Sequence, residues 1–325
     1  MNNITRLPKD FATRLMGVAC TEDAIAHTEM ISAHSLERMH GRVKYRSGES
    51  GPRNSGLTAK WRLGKHVPCQ SSLLRLANQC PSIAPIGHNA LWIVLRHGLH
   101  TQHDIDQSLL YLDDAAFSTV YGKLPWDRLE PITPLVIHSG KATRIGLVMQ
   151  GSFDAVAALY AISRKYELEN EPEKAIVIAS HIPPTLALFK RSAATQRLAY
   201  LIFARLRQLS LDSLRFAGKS LRLSSYDLDE ALSTAPDSLP IPNPKNPYKR
   251  PSILKHPTPI PGDLVDWILS HCAEIVKQRR QESAPRWKIG LGPAAHCARM
   301  EQVGQAFHET AIAQFRTTLG RYWSD

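Results

Sequence analysis

The chain has 325 residues, 43% of them hydrophobic, and 40 Lys+Arg against 29 Asp+Glu give it a net charge of +11 at pH 7. There is ample apolar material for a core, which argues against a disordered chain, and the length fits one large domain or two. No uncharged apolar run of 18 residues occurs, which argues against a helical membrane span, and five scattered cysteines without a CxxC pair indicate neither a disulfide framework nor a zinc ribbon. Reduced thiols, and an N-terminus without an apolar run of signal-peptide length, make a cytoplasmic protein the expectation. A positive excess of this size points to a polyanionic partner, nucleic acid first, because each phosphate contact releases counterions. The alternative is a basic protein whose charge serves solubility.

Residues 1–45 read as helical, with Glu22 to Arg42 as the main span and Thr21 as its N-cap. A Gly/Ser loop at 41–66 follows. From Arg38 to Lys65 there are eight basic residues and one acid, Glu49. Arg42, Lys44, Arg46, Arg53, Lys60, Arg62 and Lys65 are therefore candidates for phosphate-backbone contacts, against the alternative of an ordinary solvated loop. Residues 70–122 read as helical, apart from an apolar run at 86–100 that fits strand or helix equally. Within this stretch His97, His100, His103, Asp104 and Asp106 form the densest group of metal-ligand types. No fourth ligand with recognised spacing follows, so the expectation is a solvated surface, with no metal and no cofactor.

The segment LVIHSGKATRIGLVMQG, two short apolar runs around a turn, predicts a hairpin or a linker strand. Its SGKAT lacks the spacing of a phosphate loop. Ser152 then caps a helix whose stripe of Val156, Leu159, Ile162 and Tyr166 is core. The next amphipathic helix carries Leu198, Leu201, Ile202, Leu206 and Leu209 on one face. Arg197, Arg205, Arg215, Lys219 and Arg222 in and after it extend the candidate nucleic-acid surface. Asp212 is the single acid from Leu186 to Arg222.

Nine prolines in the 26 residues from Pro236 to Pro261 prevent helix and interior strand, and predict a basic connector or arm that offers Lys249 and Arg250 to a partner. Gly262-Asp263 opens a further helix that ends in Lys277, Arg279 and Arg280, a polarity that suits the helix dipole as well as it suits DNA. The predicted fold is mainly α with a few short strands. It comprises a helical part at 1–233, a proline-rich connector at 234–261 and a small helical part at 262–325.

Three pieces of the second half, in order, resemble the catalytic domain of the tyrosine recombinases, the phage-integrase family. QRLAYLIFARLRQLSLDSL resembles that family's first-arginine helix, with Arg207 at the arginine position and Leu211 and Leu214 at its leucines. PTPIPGDLVDWILSH is similar to the strand-to-helix stretch after the hairpin lysine, for which Lys249 is the candidate. His296-Cys-Ala-Arg299 matches HxxR, and Thr317 to Tyr322 resembles the terminal segment that carries the nucleophile. The resemblance implies a phosphate clamp of Arg207 and Arg299, acid/base roles for His296 and His308, and attack on a phosphodiester by Tyr322 without metal or nucleotide. Three functions follow as expectations: a sequence-independent nucleic-acid binder with DNA favoured over RNA, a divergent strand-exchange protein, or a helical subunit that meets other protein subunits. No membrane partner is expected.

Overall fold

The computed structural model describes residues 11–27, 56–80, 86–87, 89–123, 135–188, 193–211, 215–216, 219–220, 223–235 and 262–283. These are mainly helical, and a single helix organises them. Helix α8 (Phe153–Leu168) is buried without interruption from Asp154 to Ser163. A surface helix buries one stripe, so burial on all sides means that α8 is enclosed by neighbours. Ser152 starts it as the sequence predicts, its Oγ accepting the Ala155 N–H at 3.1 Å. The alanines at 155, 157, 158 and 161 let neighbouring helices approach closely, while Leu159, Tyr160 and Ile162 fill the spaces between them. Each fully buried Leu or Ile contributes about 1.5–3 kcal/mol relative to exposure.

The shell around α8 is built from α4 (Ala90–His97), α5 (Gln102–Leu110), α6 (Asp114–Tyr121), α7 (Lys141–Gln150), α9 (Pro172–Ala179) and α10 (Ile182–Ala187). Local chemistry punctuates them. Asn89 and Asp113 accept N–H groups at the starts of α4 and α6, and Thr101 and Asp104 form a reciprocal capping box on α5. Pro172 occupies the first turn of α9, where its missing N–H costs nothing. The apolar run at 86–100, open between strand and helix in the sequence, is helix from Ala90 to His97.

Residues 141–150 correct the hairpin expectation. They are helix α7, entered at Gly140 and closed by Gly151 in the left-handed region at φ +49°. The apolar residues Ile145, Leu147, Val148 and Met149 sit at spacings that serve a helical face, and Leu147 and Val148 are fully buried. A side chain at Gly151 would be strained by φ and would meet Leu188 Cβ at 3.1 Å.

Helix α1 (Phe11–His27) lies outside this shell, against α2 (Leu57–Arg62), α4 and α11 (Ala193–Leu206). Thr21 is not an N-cap. It stands inside α1 and donates its Oγ1–H to Gly17 O at 2.8 Å, and the helix begins at Phe11, eleven residues before the Glu22 start that the cap would give. Gly17 permits a close approach, since a Cβ there would stand 2.8 Å from Pro68 Cδ. Cys20, Ala24, Trp61, Leu76 and Cys80 form a satellite core between α1, α2 and α3 (Gln70–Gln79). The remainder of the 28–45 expectation lies outside the described residues.

On the other side, α11 buries Leu198, Leu201, Ile202 and Leu206 as the sequence predicts, then widens into a π-turn at Arg207–Leu211. Two antiparallel segments of two residues each, β1 (Arg215–Phe216) and β2 (Lys219–Ser220), follow. They are too short to make a layer, and no larger sheet occurs among the described residues. Helices α12 (Ser225–Thr234) and α13 (Gly262–Ser283) complete the described chain. Although 27 residues separate them, Ile268, Cys272 and Ile275 of α13 belong to the same core as α8 and α12.

Candidate nucleic-acid interface

The basic residues separate by what surrounds them. Arg42, Lys44, Arg46, Arg53, Arg222, Lys249 and Arg250 lie outside the described residues, as do His296, Arg299, His308 and Tyr322. Arg197 lies on α11, and Arg215 and Lys219 sit on β1 and β2, paired with Ser220 and Phe216 respectively.

Lys60, Arg62 and Lys65 form one compact basic turn. Helix α2 buries Thr58 and Trp61, three residues apart, and so turns Lys60 and Arg62 outward. Trp61 is 3% exposed and seats the turn in the satellite core. The chain then folds back tightly, with Gly64 N donating to Trp61 O at 2.9 Å and Lys65 N to Lys60 O at 2.8 Å. Arg62 Nε meets Glu22 Oε1 of α1 at 2.6 Å, which neutralises one of the three charges and holds the turn to α1. Nearby, Arg96 at the end of α4 donates to Thr13 Oγ1 of α1 at 2.9 Å. Three cations on a short, anchored element suit phosphate contacts, because little side-chain entropy is lost beyond that of the lysines themselves.

Arg205 and Arg207 are placed differently. Arg205 Nε donates to Leu95 O at 3.0 Å, joining α11 to α4, and burial lowers the guanidinium pKa. Arg207 is half-buried in the π-turn. It is the one proposed recombinase residue among those described, so the constellation with Arg299 and Tyr322 falls outside them.

The His/Asp group is divided by a helix boundary. His97 ends α4 and Asp104 lies in the first turn of α5, where its Oδ2 accepts His100 N at 3.0 Å and Thr101 N at 2.9 Å. Hydrogen bonds from the Thr101 side chain and backbone, then from the His100 backbone, hold this carboxyl below the usual range. Its Oδ2 is therefore engaged in capping. Among the described residues no three or more side chains form a metal-binding group, and no helix is long and apolar enough to cross a membrane.

Two buried acids escaped the sequence reading. Asp227, in the first turn of α12, accepts Arg279 Nη2 of α13 at 2.8 and 3.1 Å and Ser224 N at 2.6 Å. Arg279, whose place at a helix end suits the helix dipole as well as it suits DNA, is 6% exposed. Asp154, in the first turn of α8, accepts Asn89 Nδ2 and has no hydrogen-bond partner at Oδ1. Burial, then the charge of Asp113, pushes its carboxyl up to about 7, while the N–H groups of Asp113 and Ala90 and the Asn89 amide pull the other way. Ser224-x-x-Asp227 has the spacing of a capping box, which marks the start of α12, but nothing local marks the ion pair or the burial of Asp154, since the partners are 52 and 65 residues distant.

No family model, curated protein or solved structure matches the chain. The functional reading therefore rests on charge and geometry.

Proposed function

We propose that this chain binds nucleic acid, duplex DNA in preference to RNA, by contacts of lysine and arginine with the phosphate backbone that do not read sequence. The observation that carries the reading is the excess of 40 Lys+Arg over 29 Asp+Glu, together with a basic turn of exposed Lys60 and Arg62 and half-buried Lys65, fixed in place by buried Trp61. Backbone contact needs cations at a firm surface and no particular base-reading geometry. Aromatic stacking platforms of the kind that recognise single-stranded RNA are not a feature of the sequence, which favours the duplex.

The test is a binding series with duplex DNA, single-stranded DNA and RNA at several salt concentrations. For about five phosphate contacts, affinity for the duplex falls roughly 500-fold between about 50 and 200 mM salt. A Lys60→Glu, Lys65→Glu double variant lowers the salt slope by about two. Affinity that is flat with salt overturns the proposal. Run in SDS, the same gels address strand exchange: a resistant adduct that disappears in Tyr322→Phe would support the recombinase reading in place of passive binding.

A further inference from the structure

A cleft of about 220 Å³ opens between the start of α7, the C-terminal half of α8 and α9. Val177 and Ile178 form its apolar wall, and Ser139, Arg144, Tyr166 and Lys174 bring donors to it from these separate elements. Ser139 Oγ and Tyr166 OH lie 2.5 Å apart. One hydroxyl donates to the other, so one O–H of the pair remains for a ligand. Lys174 Nζ spends one proton on Glu171 Oε2 at 2.5 Å and stands 5.3 Å from the centre of the Tyr166 ring.

Arg144 is the unusual member. Its Nε is enclosed and has no hydrogen-bond partner, and no described carboxylate forms an ion pair with it. The groups that bear favourably on its charge are Cys272 and Tyr166. The Cys272 thiol, pushed up to about 12 by burial, is neutral at pH 7. His181 beside it is held down to about 4 by burial, then by Arg144 itself, so no second positive charge competes there. A guanidinium partly stripped of water, at Nε above all, without gaining a counter-charge is a standing cost that an anion would offset.

We propose that this cleft is a binding site for a phosphate monoester, with Arg144 as the principal phosphate ligand and Ser139, Tyr166 and Lys174 completing the cradle. The donors outnumber what a carboxylate with two oxygens uses, and they approach from several sides, which matches a tetrahedral oxyanion. The volume, worth roughly seven waters, holds a phosphate and a small organic part. Glu173 lies exposed at the rim and sets a negative charge beside Lys174, so selectivity for the anion rests on the half-buried Arg144. A phosphate monoester reaches such a cleft either as a free small molecule or as the 5′-phosphate end of a nucleic-acid strand.

Calorimetric titration of the full chain with inorganic phosphate and with ribose 5-phosphate tests the site. Arg144→Gln is expected to weaken both by about 10- to 100-fold, and Ser139→Ala by roughly 2- to 10-fold. Should circular dichroism show that Arg144→Gln does not fold, Lys174→Gln reads the same site from the rim and weakens both ligands by at least about threefold. Equal phosphate affinity in wild type and a folded Arg144 variant, or no heat with wild type, overturns the proposal. Oligonucleotides with and without a 5′-phosphate then separate the sources. An Arg144-dependent preference for the phosphorylated end assigns the cleft to strand ends, and equal affinity with intact ribose 5-phosphate binding assigns it to a small molecule. Lys60→Glu lies away from the cleft, so loss of salt-dependent duplex binding in that variant, with phosphate binding retained, reports on the backbone reading alone.

Discussion

Asp227 and Asp154 are both almost wholly enclosed, at 1% and 4% exposure, and both stand in the first turn of a helix. Their surroundings differ in kind. Asp227 has a guanidinium from another helix on both its oxygens, whereas Asp154 has one amide, a few backbone N–H groups and the negative charge of Asp113 nearby. The first arrangement is an ion pair that ties two helices together. The second removes the charge by holding the proton, so the junction of α4, α6 and α8 changes character near neutral pH. Burial alone therefore does not decide what a carboxylate does in this fold; the presence of a cation on the facing element does.

That contrast is broken most severely from the cation side. Arg279→Met leaves Asp227 buried without its partner and should lower stability by about 3–5 kcal/mol, read as a shift of the urea midpoint at constant slope. The acid side gives a pH-dependent result. Because the folded carboxyl of Asp154 titrates at about 7 and the unfolded one near 3.9, the folded chain holds the extra proton between those values. Stability contributed by Asp154 is then complete below about pH 4, falls as pH rises to about 7, and stays low above that. Asp154→Asn should thus stabilise the protein by about 2–4 kcal/mol at pH 8 and by little at pH 4. Denaturation curves at the two pH values check this, and an equal effect at both removes the distinction between the two acids.

Asn89→Ala withdraws both the amide on Asp154 and the cap of α4, and should cost about 2 kcal/mol, more at pH 8 than at pH 4. Ser224→Ala removes the α12 cap and one contact of Arg279 but leaves the ion pair in place. It should cost about 1 kcal/mol with no difference between those pH values, measured by thermal melting.

Elements whose signals are local were legible in the chain. Ser152 and the stripe of Val156, Leu159 and Ile162 define α8, the spacing from Leu198 to Leu206 defines α11, and Gly262-Asp263 opens α13, because caps and periodicity operate within a few residues. Helix α7 was not legible as a helix, since Ile145 to Met149 is an apolar run too short for periodicity to separate strand from helix. Thr21 has the composition of a cap, yet the turn before it is helical and its hydroxyl bonds back to Gly17. The burial of Arg279 and Asp154 and the convergence of Ser139, Arg144, Tyr166 and Lys174 on one cleft depend on packing between separate helices. A polar residue whose partner lies tens of positions away looks, in sequence, the same as one that faces water.

Trp267 Nε1, near the start of α13, donates to Thr234 Oγ1 at the end of α12 at 3.0 Å, and Arg279 near the far end of α13 reaches the start of α12. The two stems that flank residues 236–261 are thereby clasped, and the 26 residues between them form a closed ring in the topological sense. For a flexible loop, closure depends on length only logarithmically: halving it changes the entropy by about 0.6 kcal/mol, several-fold less than breaking the clasp at Asp227. The clasp therefore outweighs the length of such a loop in setting stability. Selection acting on the nine prolines of this stretch and on Lys245, Lys249, Arg250 and Lys255 can answer to whatever the stretch meets, while the clasp holds its two ends.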